Sequence, residues 1–134
     1  MVHVGIWCGF ALYVVIALVT QWDNDLLRVD SSVGVIRWLL IMMWLSFCTY
    51  SLVSAVRENF FKALRSMLQS YWGRQICIDL YISVLLSIGL VWMVTSSVIE
   101  TILWSLAIIP FANLAILLFV ILRLDDILAA FGLA

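Results

Sequence analysis

Gln75, Asp79, Ser83 and Ser87 recur at intervals of four within one long apolar stretch. Each four-residue step turns a helix by about 400°, so the positions drift only ~40° per step and share one face over ~18 Å of axis. A carboxylate in line with an amide and two hydroxyls could hold a polar ligand or relay a proton. Inside a bilayer such an ionisable group is a functional candidate by default. Ser46, Tyr50 and Ser54 repeat the spacing in an earlier apolar stretch, and Asn113 follows Pro110 in a later one. Pro110 donates no backbone hydrogen bond, which frees a carbonyl near Leu106. Asp79, Ser83, Ser87, Tyr50 and Asn113 are therefore the candidate ligand-binding residues, with Asp79 as the charge partner. A structural role competes with that one, because hydroxyls and amides also bond across helices and hold bundles together. Asp79 lies in the first turns of its helix, where free N–H groups favour an anion, and Arg74 or Arg57 could pair with it.

No catalytic set accompanies these residues. The only histidine is His3, so a bis-histidine haem cannot form within one chain, and a His/Cys metal cluster is not expected. Cys8, Cys48 and Cys77 are odd in number, lie in apolar stretches and show no C-x-x-C spacing. They predict neither a disulfide framework nor thiol redox chemistry, and read as small hydrophobes. There is no nucleophile with a base and no pair of carboxylates at mid-membrane depth, so the reading leans away from an enzyme and predicts no cofactor. An apolar groove for lipid, quinone or pigment needs no compulsory ligand residue, and those molecules stay open.

The elements that must position the polar residues follow from composition. The chain has 134 residues, 66% hydrophobic and 11% charged, with a mean hydropathy of +1.21, against about 25% charged in soluble domains. So small a globule cannot hide that much apolar surface, which excludes a water-soluble monomer and, with the low charge, a disordered chain. A net charge of −1 offers no footprint for nucleic acid. The expected fold is an all-α membrane protein in a single domain, with four spans at about 2–20, 33–56, 75–95 and 98–122 arranged as two hairpins. Gln21 to Asp30 forms the first loop, with Asp30, Ser31 or Ser32 capping the second span and Arg37 snorkelling to the headgroups. Ser97-Val-Ile-Glu100 matches a capping box, which accounts for Glu100 without chemistry. Gly5-Ile-Trp-Cys-Gly9 is a G-x-x-x-G, a helix-packing motif.

Between spans two and three, Phe60, Phe61, Leu64, Met67, Leu68 and Tyr71 recur on one face, opposite Glu58, Lys62, Arg65 and Gln69. This predicts an amphipathic helix over about 58–72, ended by Gly73. It should lie in the membrane interface, with Phe60, Phe61, Leu64, Tyr71 and Trp72 in the acyl boundary and Lys62 and Arg65 at the headgroups. In the four-span arrangement one side carries Arg57, Lys62, Arg65, Arg74 and Arg123 and the other only Arg28 and Arg37. The richer side should be cytoplasmic, placing both termini inside, most simply in a bacterial inner membrane.

Span one has no acidic residue, unlike small multidrug transporters, and the only lysine, Lys62, is not inside a span, as a retinal protein would require. Asp79-Leu-Tyr-Ile-Ser83, followed by Pro110-Phe-Ala-Asn113 and an apolar run to Arg123, resembles small uncharacterised bacterial inner-membrane proteins with four helices. The resemblance covers the C-terminal half; it implies that architecture and no activity. The expected function is an accessory or assembly subunit of a larger membrane complex, or a homo-oligomer, with the bilayer and other membrane subunits as partners. The alternative is a transporter or channel subunit that binds a polar ligand or proton in a cytoplasm-facing pocket around Asp79.

Overall fold

Every element is helical in the computed structural model, which describes residues 2–21 and 32–133. In chain order they are α1 (Val2–Gln21), α2 (Ser32–Arg57), α3 (Phe60–Leu68), α4 (Tyr71–Thr95), α5 (Val98–Phe111), α6 (Asn113–Leu122) and α7 (Leu124–Ala130). Three of them, α1, α2 and α4, are long and apolar enough to cross a membrane. The expected first loop, with Trp22, Arg28 and the capping candidates Asp30 and Ser31, lies outside the described residues.

The amphipathic segment is shorter than its periodicity suggests. Asn59 Oδ1 accepts from the backbone N–H groups of Phe61 (3.0 Å) and Lys62 (3.4 Å) and starts α3. Ser70 Oγ accepts from the Gly73 N–H at 3.0 Å and starts a new helix. Two side-chain caps therefore divide the stretch expected as one helix, and Tyr71 and Trp72 open α4 instead of closing α3. Gly73 is not the cap of α3, a position held by Gln69 in right-handed conformation. It is buried in the first turn of α4, where a Cβ would overlap the Met67 carbonyl. Gly73→Ala should force α3 away from α4 and lower stability by ~2 kcal/mol, read by unfolding in detergent.

The segment expected as the fourth span is not one helix. Ala112 adopts φ 41° and ψ −114°, and the chain turns back on itself there. Arg123 meets Glu100 at 3.0 Å, and the rings of Trp104 and Phe119 are 5.0 Å apart. In a continuous helix, Glu100 and Arg123 would be ~35 Å apart. α5 and α6 instead form an antiparallel hairpin with its tip at Pro110 to Ala112. At 14 and 10 residues they are ~21 and ~15 Å long, so neither matches a ~30 Å hydrocarbon core. A non-glycine residue at such a positive φ costs on the order of 1–3 kcal/mol, offset by the packing of the two hairpin arms, on which the half-buried Ala112 rests.

The hairpin is the centre of the molecule. Trp104, Ala107, Ile108, Leu114, Ala115, Leu118 and Phe119 are buried, together with Phe10 and Ala17 of α1 and Val84 and Val91 of α4. α4 packs on α5, α2 packs on α6, and α1 lies across both. Ring contacts join Tyr13 to Trp104 (5.6 Å) and Phe10 to Phe111 (4.1 Å), so α1 runs antiparallel to α5. The reversal carries α7 to the end of the bundle where α2 begins, opposite the end where α1 begins. The long helices turn large apolar residues such as Val19, Leu39 and Leu85 outward, as a lipid-facing surface requires.

Candidate functional site

The bundle presents two polar sets, at opposite ends. The first is the one expected from spacing. On α4 the buried Val84 and Val91 join the hairpin core, while Gly73 packs against the end of α3. Asp79 lies five residues before Val84, ~140° around the helix, and is exposed on the outward side with Gln75 and Ser83. Ser87 is half-buried, and its hydroxyl donates to the Ser83 carbonyl at 2.7 Å, within its own helix. On α2, Arg37, Trp44 and Cys48 face inward, while Tyr50 is 72% exposed with Ser46 and Ser54 beside it. Asn113 is exposed at the hairpin tip. Among the described residues no hydrogen bond joins Asp79, Ser83, Ser87, Tyr50 or Asn113 across helices. The spacing aligns each stripe, but Gln75, Asp79 and Ser83 on α4 and Ser46, Tyr50 and Ser54 on α2 are exposed, while Ser87, three residues after Val84 and four before Val91, turns toward the packed face.

The second set was not singled out in the sequence, and the chain reversal creates it. Arg37 is only 4% exposed, and its Nη2 donates to Asp125 Oδ2 at 2.6 Å. It is enclosed rather than extended outward, and the returning α6–α7 segment brings the exposed carboxylate of Asp125 to its guanidinium. Arg123 donates from Nη2 to Glu100 Oε2 and from Nη1 to Asp126 Oδ2, both at 3.0 Å. Ser97 Oγ accepts from the Glu100 N–H at 3.4 Å, the first half of the expected capping box. The Glu100 carboxylate, however, crosses the hairpin mouth to Arg123. On α2, Trp44 Nε1 donates to the Leu114 carbonyl at 2.8 Å and ties α2 to the tip of the hairpin. These bonds clamp the re-folded segment.

The burial of the two Arg37–Asp125 partners is unequal, which sets the expected cost of removing each. Arg37→Ala deletes a side chain almost wholly enclosed and should lower stability by ~3 kcal/mol. Asp125 is 72% exposed, so Asp125→Ala should cost only ~1 kcal/mol. Denaturation of the two variants in lipid–detergent mixtures, compared with the parent chain, checks the order.

At the other end, Phe60, Phe61, Tyr71 and Trp72 are exposed, as are Lys62 and Arg65, while Leu64 is half-buried. The Arg74 guanidinium lies 4.5 Å from the centre of the Tyr71 ring, a cation–π contact. Aromatic and basic side chains thus surround the α3–α4 corner. Moving the protein from neutral to anionic lipid should stabilise it, and Lys62→Gln with Arg65→Gln should remove ~2 kcal/mol of that gain, at about 1 kcal/mol per charge. Gly5 and Gly9 face open space, with nothing within 4 Å of a Cβ built at either. Cys8 is exposed and Cys48 and Cys77 half-buried, and all three are free thiols. Among the described residues no group of three or more His, Cys, Asp or Glu is placed to hold a metal ion.

Together these features define a small helical protein with three helices able to cross a membrane, packed around a short helical hairpin. Compared with family models, characterised proteins and solved structures, the chain matches none.

Proposed function

We propose that the protein is an integral membrane subunit that works in assembly, either as an accessory component of a larger membrane complex or as an oligomer of itself. The observation that supports this is the outward placement of Gln75, Asp79 and Ser83 on α4. A carboxylate and amide turned toward hydrocarbon are costly alone, and a neighbouring subunit is the ordinary way to satisfy them. In this reading α1, α2 and α4 cross the membrane, and the α5–α6 hairpin enters and leaves on one side without crossing. Its tip is tied to α1 by the Phe10–Phe111 ring contact and to α2 by the Trp44–Leu114 hydrogen bond, and irregular backbone at membrane depth is tolerated where it packs on protein.

The hairpin changes the distribution of basic residues. Arg57, Lys62, Arg65 and Arg74 remain on the α3 side, whereas Arg123 joins Arg37 on the other. The majority still assigns the α3 side to the cytoplasm of a bacterial inner membrane, with the two termini on opposite faces. Extraction directly into polymer-bounded lipid discs, followed by mass measurement, tests the assembly reading. Particles should contain more protein than one 15.2 kDa chain; a lone chain in every disc overturns it.

A further inference from the structure

We infer that the partner on the Asp79 face is a second copy of this chain, with α4 of one copy packed against α2 of the next. This rests on the assembly reading above and names its partner. The hairpin separates α2 from α4, because α2 packs on α6 and α4 on α5. Their outward faces therefore point away from each other. Asp79 is ~140° round from the buried Val84, and Tyr50 is ~160° round from the inward-facing Cys48. Each molecule thus carries two polar stripes on different sides, in the same half of the bundle.

The stripes are complementary in chemistry and in depth. On α4, Asp79 is an acceptor, with the Ser83 hydroxyl beyond it; on α2, Tyr50 and Ser54 are hydroxyl donors, with the Arg57 guanidinium one turn nearer the α3 end. Asp79 is ~12 Å along α4 from its start at Tyr71, and Tyr50 is ~10.5 Å along α2 from its end at Arg57, so both lie in the half of the bundle next to α3. Both exposed stripes advance by four residues, α4 running from Gln75 to Asp79 and Ser83, α2 from Ser54 back to Tyr50 and Ser46. The two helices run in opposite directions, so the polar positions stay in step along the contact.

The same geometry argues against a two-fold pair through α4. Copies inserted in one orientation would place Asp79 against Asp79 at the same depth, with like charges opposed. Arg74 would not relieve them: it is ~140° round α4 from Asp79, over the Tyr71 ring. An α4-to-α2 contact is heterologous, and every copy keeps one free α4 face and one free α2 face until a ring closes.

Disulfide trapping in liposomes tests this with the full chain, after Cys8, Cys48 and Cys77 are replaced by alanine. Ser83→Cys and Tyr50→Cys variants mixed together should form a disulfide-linked dimer, and neither should cross-link alone. The variant carrying both substitutions should give a ladder beyond the dimer. Cross-linking of Ser83→Cys alone, or no product in the mixture, overturns the inference. Because these substitutions alter the contact itself, fluorescence energy transfer between labelled copies supplies a second measurement. Asp79→Asn and Tyr50→Phe should each weaken association by threefold to tenfold, with the double variant no weaker than the worse single one. Fully additive losses, or none, overturn it. Multi-chain discs without the α4–α2 cross-link would leave the assembly reading standing and remove only the identity of the partner.

Discussion

A cysteine introduced by Leu133→Cys will react with a membrane-impermeant maleimide from the face opposite to one introduced by Ser66→Cys. The reason is the reversal at Ala112. Leu133 follows α7, which the Arg37–Asp125 contact fixes at the start of α2, whereas Ser66 lies on α3, beyond the end of α2. α2 has 26 residues, ~39 Å along its axis, enough to separate the two positions by a whole bilayer. Had 98–122 continued as one helix, both cysteines would lie on the same face. Labelling is close to all-or-none, so the outcome is decisive: reaction of both cysteines from one face of sealed vesicles overturns the half-depth hairpin. Loss of opposite-face labelling in Arg37→Ala would further show that the ion pair holds α7 in place.

The largest stability effect should come from Trp104→Ala. Trp104 is 2% exposed and lies between Tyr13 and Phe119, with ring centroids at 5.6 and 5.0 Å. It thereby joins α1 to both arms of the hairpin. Truncating it leaves a cavity bordered by three helices that are already in contact elsewhere and cannot close on it. A loss of ~3–5 kcal/mol is expected. Between helices in lipid, close van der Waals packing replaces the hydrophobic drive, so the empty volume itself carries most of the cost. Trp104→Phe retains most of the ring contact and should lose less than half as much. Equilibrium unfolding in mixed micelles checks both variants, and near-equal stability of Trp104→Ala and the parent would show that the hairpin is held otherwise.

Much of the architecture was legible locally. A run of apolar residues long enough for a bilayer needs no partner to be recognised, and α1, α2 and α4 fall where hydropathy places them. Ser97 as an N-cap was legible for the same reason, since capping acts within one turn. The caps Asn59 and Ser70 carry an equally local signal, but the apolar period running through 60–71 hides it. Alignment of Asp79 with Ser83 is helical arithmetic and survives in the structure. Which way that face points is not, because direction depends on where α5 lies.

The chain's composition and periodicity by themselves pointed to a helical membrane protein with four spans, an amphipathic segment between the second and third, and two polar stripes; three of those spans are long apolar helices in the structure. Only the tertiary structure decided that the last apolar run folds back. Hydropathy sums over residues 98–122 whether or not the chain bends, and an alanine at positive φ has none of the glycine or asparagine signature of a turn. Pro110 and Asn113 were the sole cues, and both are also tolerated in continuous spans. Arg37 and Asp125 are 88 residues apart, so their pairing exists only once α6 has returned along α2. That return turns a residue expected at the headgroups into a buried clamp, and leaves Asp79 facing out of the bundle.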